Sequence, residues 1–123
     1  MRRFGLAAGL AACACAANAQ PAKPMQLSPA VKKDLQCFII YTAAAGVAKD
    51  EQTQQAAGYG TMYYLGRLDV SARSLDLVQA VRQESAAMEG NPETQRIGQI
   101  CGEELKTRGQ ALMSIGQSLQ GKP

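Results

Sequence analysis

Residues 28–48 read SPAVKKDLQCFIIYTAAAGVA, and this stretch determines the predicted fold class. Ser28 followed by Pro29 is typical of a helix N-cap with proline at the first helical position. Apolar and small residues then recur at spacings of three and four, which marks one face of a helix. These positions are Val31, Leu35, Phe38, Ile39, Thr42 and Ala43. The stretch therefore predicts a first helix that ends near Ala48, with Cys37 beside its apolar face.

Three further helices follow from capping residues and apolar spacing. Asp50 can cap a second helix over residues 51–68, and Ser74 can cap a third that ends near Glu89. Gly90-Asn91-Pro92 can end the third helix and open a fourth, which runs to about Gln120. Gly58 and Gly60 indicate a kink, a break or a close contact in the second helix. The expected inward positions are Ala57, Thr61, Tyr64, Leu65 and Leu68 in the second helix, and Leu77, Val78, Val81, Ser85 and Met88 in the third.

The fourth helix carries a seven-residue repeat. Leu105, Leu112 and Leu119 recur at this period, and Gly102, Gly109 and Gly116 each lie three positions earlier. Leucine can fill a seam while glycine lets a neighbouring backbone approach closely. We expect tight antiparallel packing within the bundle, and the alternative is a dimerising coiled-coil seam.

The N-terminal segment has the layout of a secretory signal peptide. Arg2 and Arg3 precede an uncharged stretch, and Ala17-Asn18-Ala19 resembles a signal-peptidase site. The prediction is a signal peptide at residues 1–19 cleaved after Ala19, a flexible lead-in at 20–27 and a helical domain at 28–120. The uncharged stretch is too short for a membrane span, so none is expected in the mature chain. The cleaved form is expected in the periplasm or outside the cell. The alternative is a lipoprotein at Cys13, whose acyl chains would tether the domain to a membrane.

Cysteine usage then predicts one disulfide. Cys13 and Cys15 leave with the predicted signal, and an oxidising compartment allows Cys37 and Cys101 only one internal pairing. Closing a loop of this length stabilises a domain by about 4 kcal/mol in the chain-entropy model. The predicted fold is an all-α, four-helix bundle-like domain with a disulfide joining the first and last helices. The functional alternative for this pair is thiol redox chemistry or metal binding.

Composition argues against most catalytic and cofactor chemistry. The 123-residue chain has no histidine, which removes the usual general base and the commonest metal ligand. Two cysteines cannot complete an all-thiolate zinc site, and no phosphate-binding glycine motif is present. Without Arg2 and Arg3 the acidic and basic residues nearly balance, so nucleic acid is not expected as a partner. We expect no enzyme activity, no catalytic residues, no cofactor and no metal.

The second helix contains the candidate binding residues. Tyr59, Tyr63 and Arg67 follow one another at four-residue spacing, and Tyr64 is adjacent. Such a stripe can bind an anionic or aromatic ligand or a partner protein, possible partners including another envelope protein. The alternative is that the rings pack on the bundle while Arg67 pairs with Asp69 or another acidic neighbour. For Glu103 and Glu104, spacing predicts a solvated face with local pairs to Lys106 and Arg108.

The overall plan resembles three groups of proteins. Signal peptide, four helices and two distant cysteines resemble small uncharacterised helical proteins of the bacterial periplasm. A disulfide joining an early and a late helix resembles the periplasmic acid-stress chaperones. The Tyr-x-Gly-x-x-Asp stretch at residues 64–69 resembles the type VI secretion immunity proteins, whose richer cysteine pattern is missing here. The functional expectation is an exported, non-enzymatic, protein-binding module, with an acid-responsive periplasmic chaperone as the alternative; none of these resemblances assigns a functional residue or an oligomeric state.

Overall fold

The structure is a computed structural model that describes residues 23–121, and within them the fold is all-α. Four helices follow one another along the chain: α1 (Pro29–Val47), α2 (Glu51–Ser71), α3 (Leu77–Met88) and α4 (Glu93–Leu119). A disulfide between Cys37 and Cys101 joins α1 to α4, with the two Cα atoms 5.6 Å apart. The predicted fold class is therefore confirmed. The predicted signal peptide and the alternative lipidation site at Cys13 lie outside the described residues.

Helix ends follow the predicted capping chemistry with two exceptions. The side chains of Ser28 and Asp50 accept hydrogen bonds from the first turns of α1 and α2, and Gly90 has a φ of 68° between α3 and α4. The exceptions concern the α2–α3 connection. α2 continues to Ser71 rather than ending near residue 68, and the N-cap of α3 is Asp76 rather than Ser74. Asp76 caps α3 because its side chain accepts a hydrogen bond from the backbone N–H of Gln79 at 3.0 Å.

The core lies mainly between α1 and α2, which run antiparallel. One buried cluster joins Leu35, Leu68 and Ala80 of the first three helices. A second cluster joins Cys37, Tyr64 and Cys101, and it is where α4 meets the pair. Ahead of α1, the described part of the lead-in carries no regular structure, but Met25 and Leu27 pack against the first cluster. The core is therefore continuous at the α1–α2 interface and only locally extended to α4.

Some predicted inward positions are wrong. Thr42 and Ala43 of α1 and Val78 of α3 are exposed, whereas Ala80 takes an interior position in α3. α3 is short and packs against α1 along one side, so some of its predicted inward positions remain exposed. α2 is continuous through both glycines, and Gly60 is the close contact that the sequence left open, because it faces the ring of Tyr41.

The expectation of tight packing along the whole of α4 is also wrong. Leu112 and Leu119 are exposed, and nothing lies within 4 Å of a Cβ built on Gly109 or Gly116. α4 has 27 residues and α1 has 19, so α1 cannot cover it throughout. No helix among the described residues is long and apolar enough to cross a membrane.

Candidate functional site

The four candidate binding residues of α2 separate into three environments. Tyr64 is fully buried, its hydroxyl donates to the backbone carbonyl of Cys101 at 3.0 Å, and its ring stacks on Tyr41. Burial raises the pKa of Tyr64 well above its ordinary value, and the nearby carboxylate of Glu104 acts in the same direction. Tyr64 therefore belongs to the core and is not available for binding.

Tyr63 and Arg67 belong to a polar cluster that connects three helices. We use "polar cluster" for Lys33 and Asp34 of α1, Tyr63 and Arg67 of α2, and Glu104 of α4. Arg67 donates from Nε to Asp34 Oδ2 and from Nη1 to Glu104 Oε1, both at 2.9 Å. Nη1 also donates to the Tyr63 hydroxyl at 3.2 Å, and Lys33 donates to Glu104 Oε2. One guanidinium thus fixes the positions of both neighbouring helices.

The electrostatics of the cluster favour the charged forms of Glu104 and Arg67. Burial alone would raise the pKa of Glu104, but the hydrogen bond and charge of Lys33 and the charge of Arg67 hold it below its ordinary value. The hydrogen bond to Asp34 raises the pKa of Arg67 further above its already high value. Asp34 is buried, and its Oδ1 atom has no hydrogen-bond partner but lies 3.7 Å from the Lys33 ammonium. The cluster is therefore a charged structural junction within the bundle.

These contacts correct two local pairings expected from the sequence. Arg67 pairs with Asp34 and Glu104 on other helices rather than with Asp69. Glu104 is largely covered and pairs with Lys33 and Arg67 rather than with Arg108, while Glu103 remains on a solvated face 3.9 Å from Lys106 as expected. Sequence reasoning missed Asp34 altogether. Its signal was a single charged residue three positions after Val31 and four before Phe38, on the apolar side of the first helix.

The second feature is an apolar groove between α2 and α4. One wall is Ala56, Tyr59 and Tyr63 of α2, and the other is the part of α4 from Leu105 to Ile115. Its volume is about 680 Å³, and among the described residues that line it Arg108 alone is charged. Tyr63 links this groove to the polar cluster because its hydroxyl donates to Glu104 at 3.3 Å. The polar cluster therefore lies at the Tyr63 end of the groove. Tyr59 lies one helical turn away and is 65% exposed.

The disulfide and the acidic residues offer no comparable site. Cys37 and Cys101 are joined to each other and both are fully buried, so neither presents a free thiolate at the surface. Within residues 23–121, no group of three cysteine, aspartate or glutamate side chains is arranged to hold a metal ion. The apolar groove is consequently the candidate functional site, and Tyr59 is the predicted binding residue with the greatest access to it.

Comparison of the chain with protein-family models, with curated proteins and with solved structures finds no match in any of the three.

Proposed function

We propose that this chain is an exported, non-enzymatic module that binds a protein partner in the cell envelope through the apolar groove. The observation that carries the proposal is apolar exposure on both walls: Tyr59 is 65% exposed, Leu112 69% and Ile115 54%. Covering one such side chain contributes about 1.5–3 kcal/mol. Contiguous apolar surface of this kind is typical of protein interaction sites.

The composition of the groove favours a protein rather than a small polar ligand. Its walls belong to two helices, α2 and α4, and an apolar cleft between helices suits the apolar face of a further helix laid between them. Tyr59 offers a large ring with a polar tip, and Arg108 offers a long stem with a charged end. Tyrosine and arginine are enriched among the residues that dominate binding energy at protein interfaces.

Two features support a place in the cell envelope. The Cys37–Cys101 disulfide is of the kind that persists in oxidising compartments. The N-terminal layout of Arg2, Arg3 and the Ala17-Asn18-Ala19 segment predicts export. Together they favour a folded domain released on the far side of the inner membrane.

The proposal is tested by photo-crosslinking in living cells. A photoreactive phenylalanine analogue replaces Tyr59 in the full-length chain, and a matched variant carries it at Val78, which is similarly exposed on α3. We expect a discrete crosslinked species from position 59 that is absent at position 78. If position 59 yields no crosslinked protein, or both positions yield the same species, the groove is not a binding site.

A second candidate function, an acid-responsive chaperone, is favoured by the position of Glu104. This carboxylate pairs with Lys33 of α1 and Arg67 of α2, and it lies one turn from the disulfide on α4. Protonation of Glu104 at low pH would leave Lys33 and Arg67 with Asp34 as the remaining carboxylate that both of them face. Acid would then loosen the junction between α4 and the α1–α2 pair and expose apolar surface.

The two functions differ in their pH dependence. A chaperone opened by acid would bind a hydrophobic dye and prevent aggregation of an unfolded client at pH 3 but not at pH 7. A constitutive binding module would form its crosslink at Tyr59 at neutral pH without added acid. Absence of dye binding and of client protection at pH 3 would exclude the chaperone function.

A further inference from the structure

Within residues 23–121, the C-terminal half of α4 is the longest stretch that the bundle leaves uncovered. From Lys106 to Leu119 no residue is buried, and four large apolar side chains are exposed. These are Leu112, Met113, Ile115 and Leu119. An isolated helical segment of this length is only marginally stable in water. A partner that covers it would therefore stabilise the helix as well as bury apolar surface.

The uncovered surface continues the face by which α4 already packs. Upstream, Ile97 and Cys101 contact the buried cluster with Tyr64, and a Cβ at Gly98 would touch Ile40. Steps of seven and eleven residues return to nearly the same side of a helix. Leu105, Leu112 and Leu119 thus extend the Cys101 side of α4 toward the C-terminus. The helix presents one long apolar stripe, and α1 covers only its first half.

Two glycines of this stripe, Gly109 and Gly116, have no close neighbour among residues 23–121. Gly109 and Gly116 each cost the helix about 1 kcal/mol relative to alanine. Nothing within 4 Å would meet a Cβ at either position, so no neighbour in this chain requires their small size. They lie beside the exposed leucines rather than on the opposite side of the helix. Small residues at such positions allow close approach by a surface from outside the chain.

The spacing of leucine and glycine is complementary to itself. In two antiparallel copies of α4, a single register sets Leu112 opposite the partner's Gly109 and Leu105 opposite the partner's Gly116. The same register sets Leu119 opposite the partner's Gly102, whose position differs from the other two because a Cβ there would lie 3.9 Å from the Tyr41 hydroxyl of its own chain. A parallel pair would instead set glycine against glycine and leucine against leucine, which leaves gaps and crowding in alternate layers. The large residue of each copy therefore fits the small residue of the other only in the antiparallel arrangement.

The few charges of this segment are compatible with a mainly apolar, self-paired seam. Lys106 and Arg108 are the only charged residues between Leu105 and Gly121. In this register they lie opposite the partner's Ile115 and the partner's Met113, where their aliphatic stems can cover apolar surface. An acidic partner would find only these two cations at one end of the stripe. The remaining stripe offers apolar contacts alone.

We infer that the occupant of the apolar groove is a second copy of this chain, paired antiparallel through the Gly-x-x-Leu repeat of α4. This inference rests on the proposed function, because it names the partner of the same groove. Each copy contributes about two heptads, so the interface is smaller than the standard of about 1,600 Å². We therefore expect a reversible dimer with a dissociation constant of about 1–100 µM.

Sedimentation velocity of the purified full-length protein, over about 1–500 µM, tests the inference. The wild type is expected to pass from monomer to dimer as concentration rises. Leu112→Asp is expected to remain monomeric throughout, because it buries a carboxylate in the seam. Val78→Asp, at a residue that is 63% exposed on α3, is the matched control and is expected to dimerise like the wild type.

A glycine variant separates association from folding. A Cβ at Gly109 meets nothing within 4 Å, and leucine adds helix propensity there, so the monomer is expected to fold at least as well as the wild type. In the dimer the new side chain would collide with the partner's Leu112, so the dissociation constant is expected to rise more than tenfold. Gly46→Leu is the control, since Gly46 is an equally open helical glycine outside the groove.

The outcomes distinguish the inference from the proposed function. A monomer at every concentration, with a position-59 crosslink to a protein of different mass, would overturn the inference and leave the binding function standing. A monomer without any crosslink would overturn both. A dimer that Gly109→Leu does not weaken would show that the copies associate by another surface.

Discussion

Arg67 of α2 donates from Nε to Oδ2 of Asp34 on α1 at 2.9 Å, and the Asp34 side chain is only 4% exposed. The same guanidinium reaches Glu104 of α4. A buried carboxylate requires such compensation, because removing a charge from water is costly unless it is paired. The pair therefore determines where three helices meet. This makes Arg67 a poor position for probing binding, since its loss would disturb the fold.

Asp34→Asn is expected to lower the free energy of unfolding by about 2–4 kcal/mol. The amide has nearly the same shape but removes the anion that compensates Arg67, and its NH₂ group would compete with the cations around it. The free energy is measured by urea denaturation at pH 7. Asp69→Asn is the control, since Asp69 is exposed on the same helix as Arg67, and a change below about 0.5 kcal/mol is expected there. Equal effects of the two substitutions would contradict a structural role for the pair.

The contribution of the Glu104 carboxylate to the free energy of unfolding is expected to disappear in acid. Because its pKa in the folded chain is lower than in the unfolded chain, its stabilisation is present above the unfolded value, near 4.5. It is lost as the pH falls through the lower, folded value. Glu104→Gln is therefore expected to cost about 1–2 kcal/mol at pH 7 and much less at pH 3.

Urea denaturation at both pH values measures this difference. Glu103→Gln is the control, because Glu103 is exposed and lies 3.9 Å from its only basic neighbour in the described chain, Lys106. A cost for Glu104→Gln that stays constant between pH 7 and pH 3 would show that the side chain stabilises the fold without its charge.

The helices were predictable because their signals are local. Ser28 and Asp50 each cap the helix that follows within three residues, and Gly90 ends α3 by adopting a φ of 68°. The disulfide was predictable because the two cysteines that follow the predicted signal peptide, Cys37 and Cys101, have one internal pairing. The capping groups lie close in sequence to the helix ends that they cap, and two cysteines can form only one internal disulfide.

The junction of helices was not predictable from local spacing. Asp34 and Arg67 are 33 residues apart, and their meeting depends on how α1 and α2 align. The repeat of α4 predicts that Leu112 lies in a packed seam, but it does not indicate which surface would cover that seam. That depends on the length and direction of α1 relative to α4. The sequence therefore located the apolar stripe correctly and assigned it the wrong neighbour.

Substitution by alanine is expected to raise the free energy of unfolding at Gly58 and to lower it at Gly60. A Cβ at Gly60 would lie 2.5 Å from ring carbons of Tyr41, so the ring or the helix must move, at a cost of about 1–3 kcal/mol. A Cβ at Gly58 meets nothing within 4 Å, and alanine there adds up to about 1 kcal/mol of helix propensity. Thermal and urea denaturation of the two variants provide the comparison. Stabilisation by both substitutions would mean that Tyr41 does not pack against Gly60.

Removal of the disulfide is expected to release α4 before the rest of the domain. Cys37→Ala with Cys101→Ala would lower the free energy of unfolding by about 4 kcal/mol in the chain-entropy model. The remaining attachments of α4 to α1 and α2 include the hydrogen bond from Tyr64 to the carbonyl of residue 101, a few apolar contacts, and the hydrogen bond and ion pairs of Glu104. Since α1 and α2 keep their own interface, the loss should be local. Hydrogen exchange is therefore expected to accelerate more over residues 93–105 than over the buried positions of α1 and α2. A uniform acceleration across all four helices would instead show that α4 is an integral part of one cooperative core.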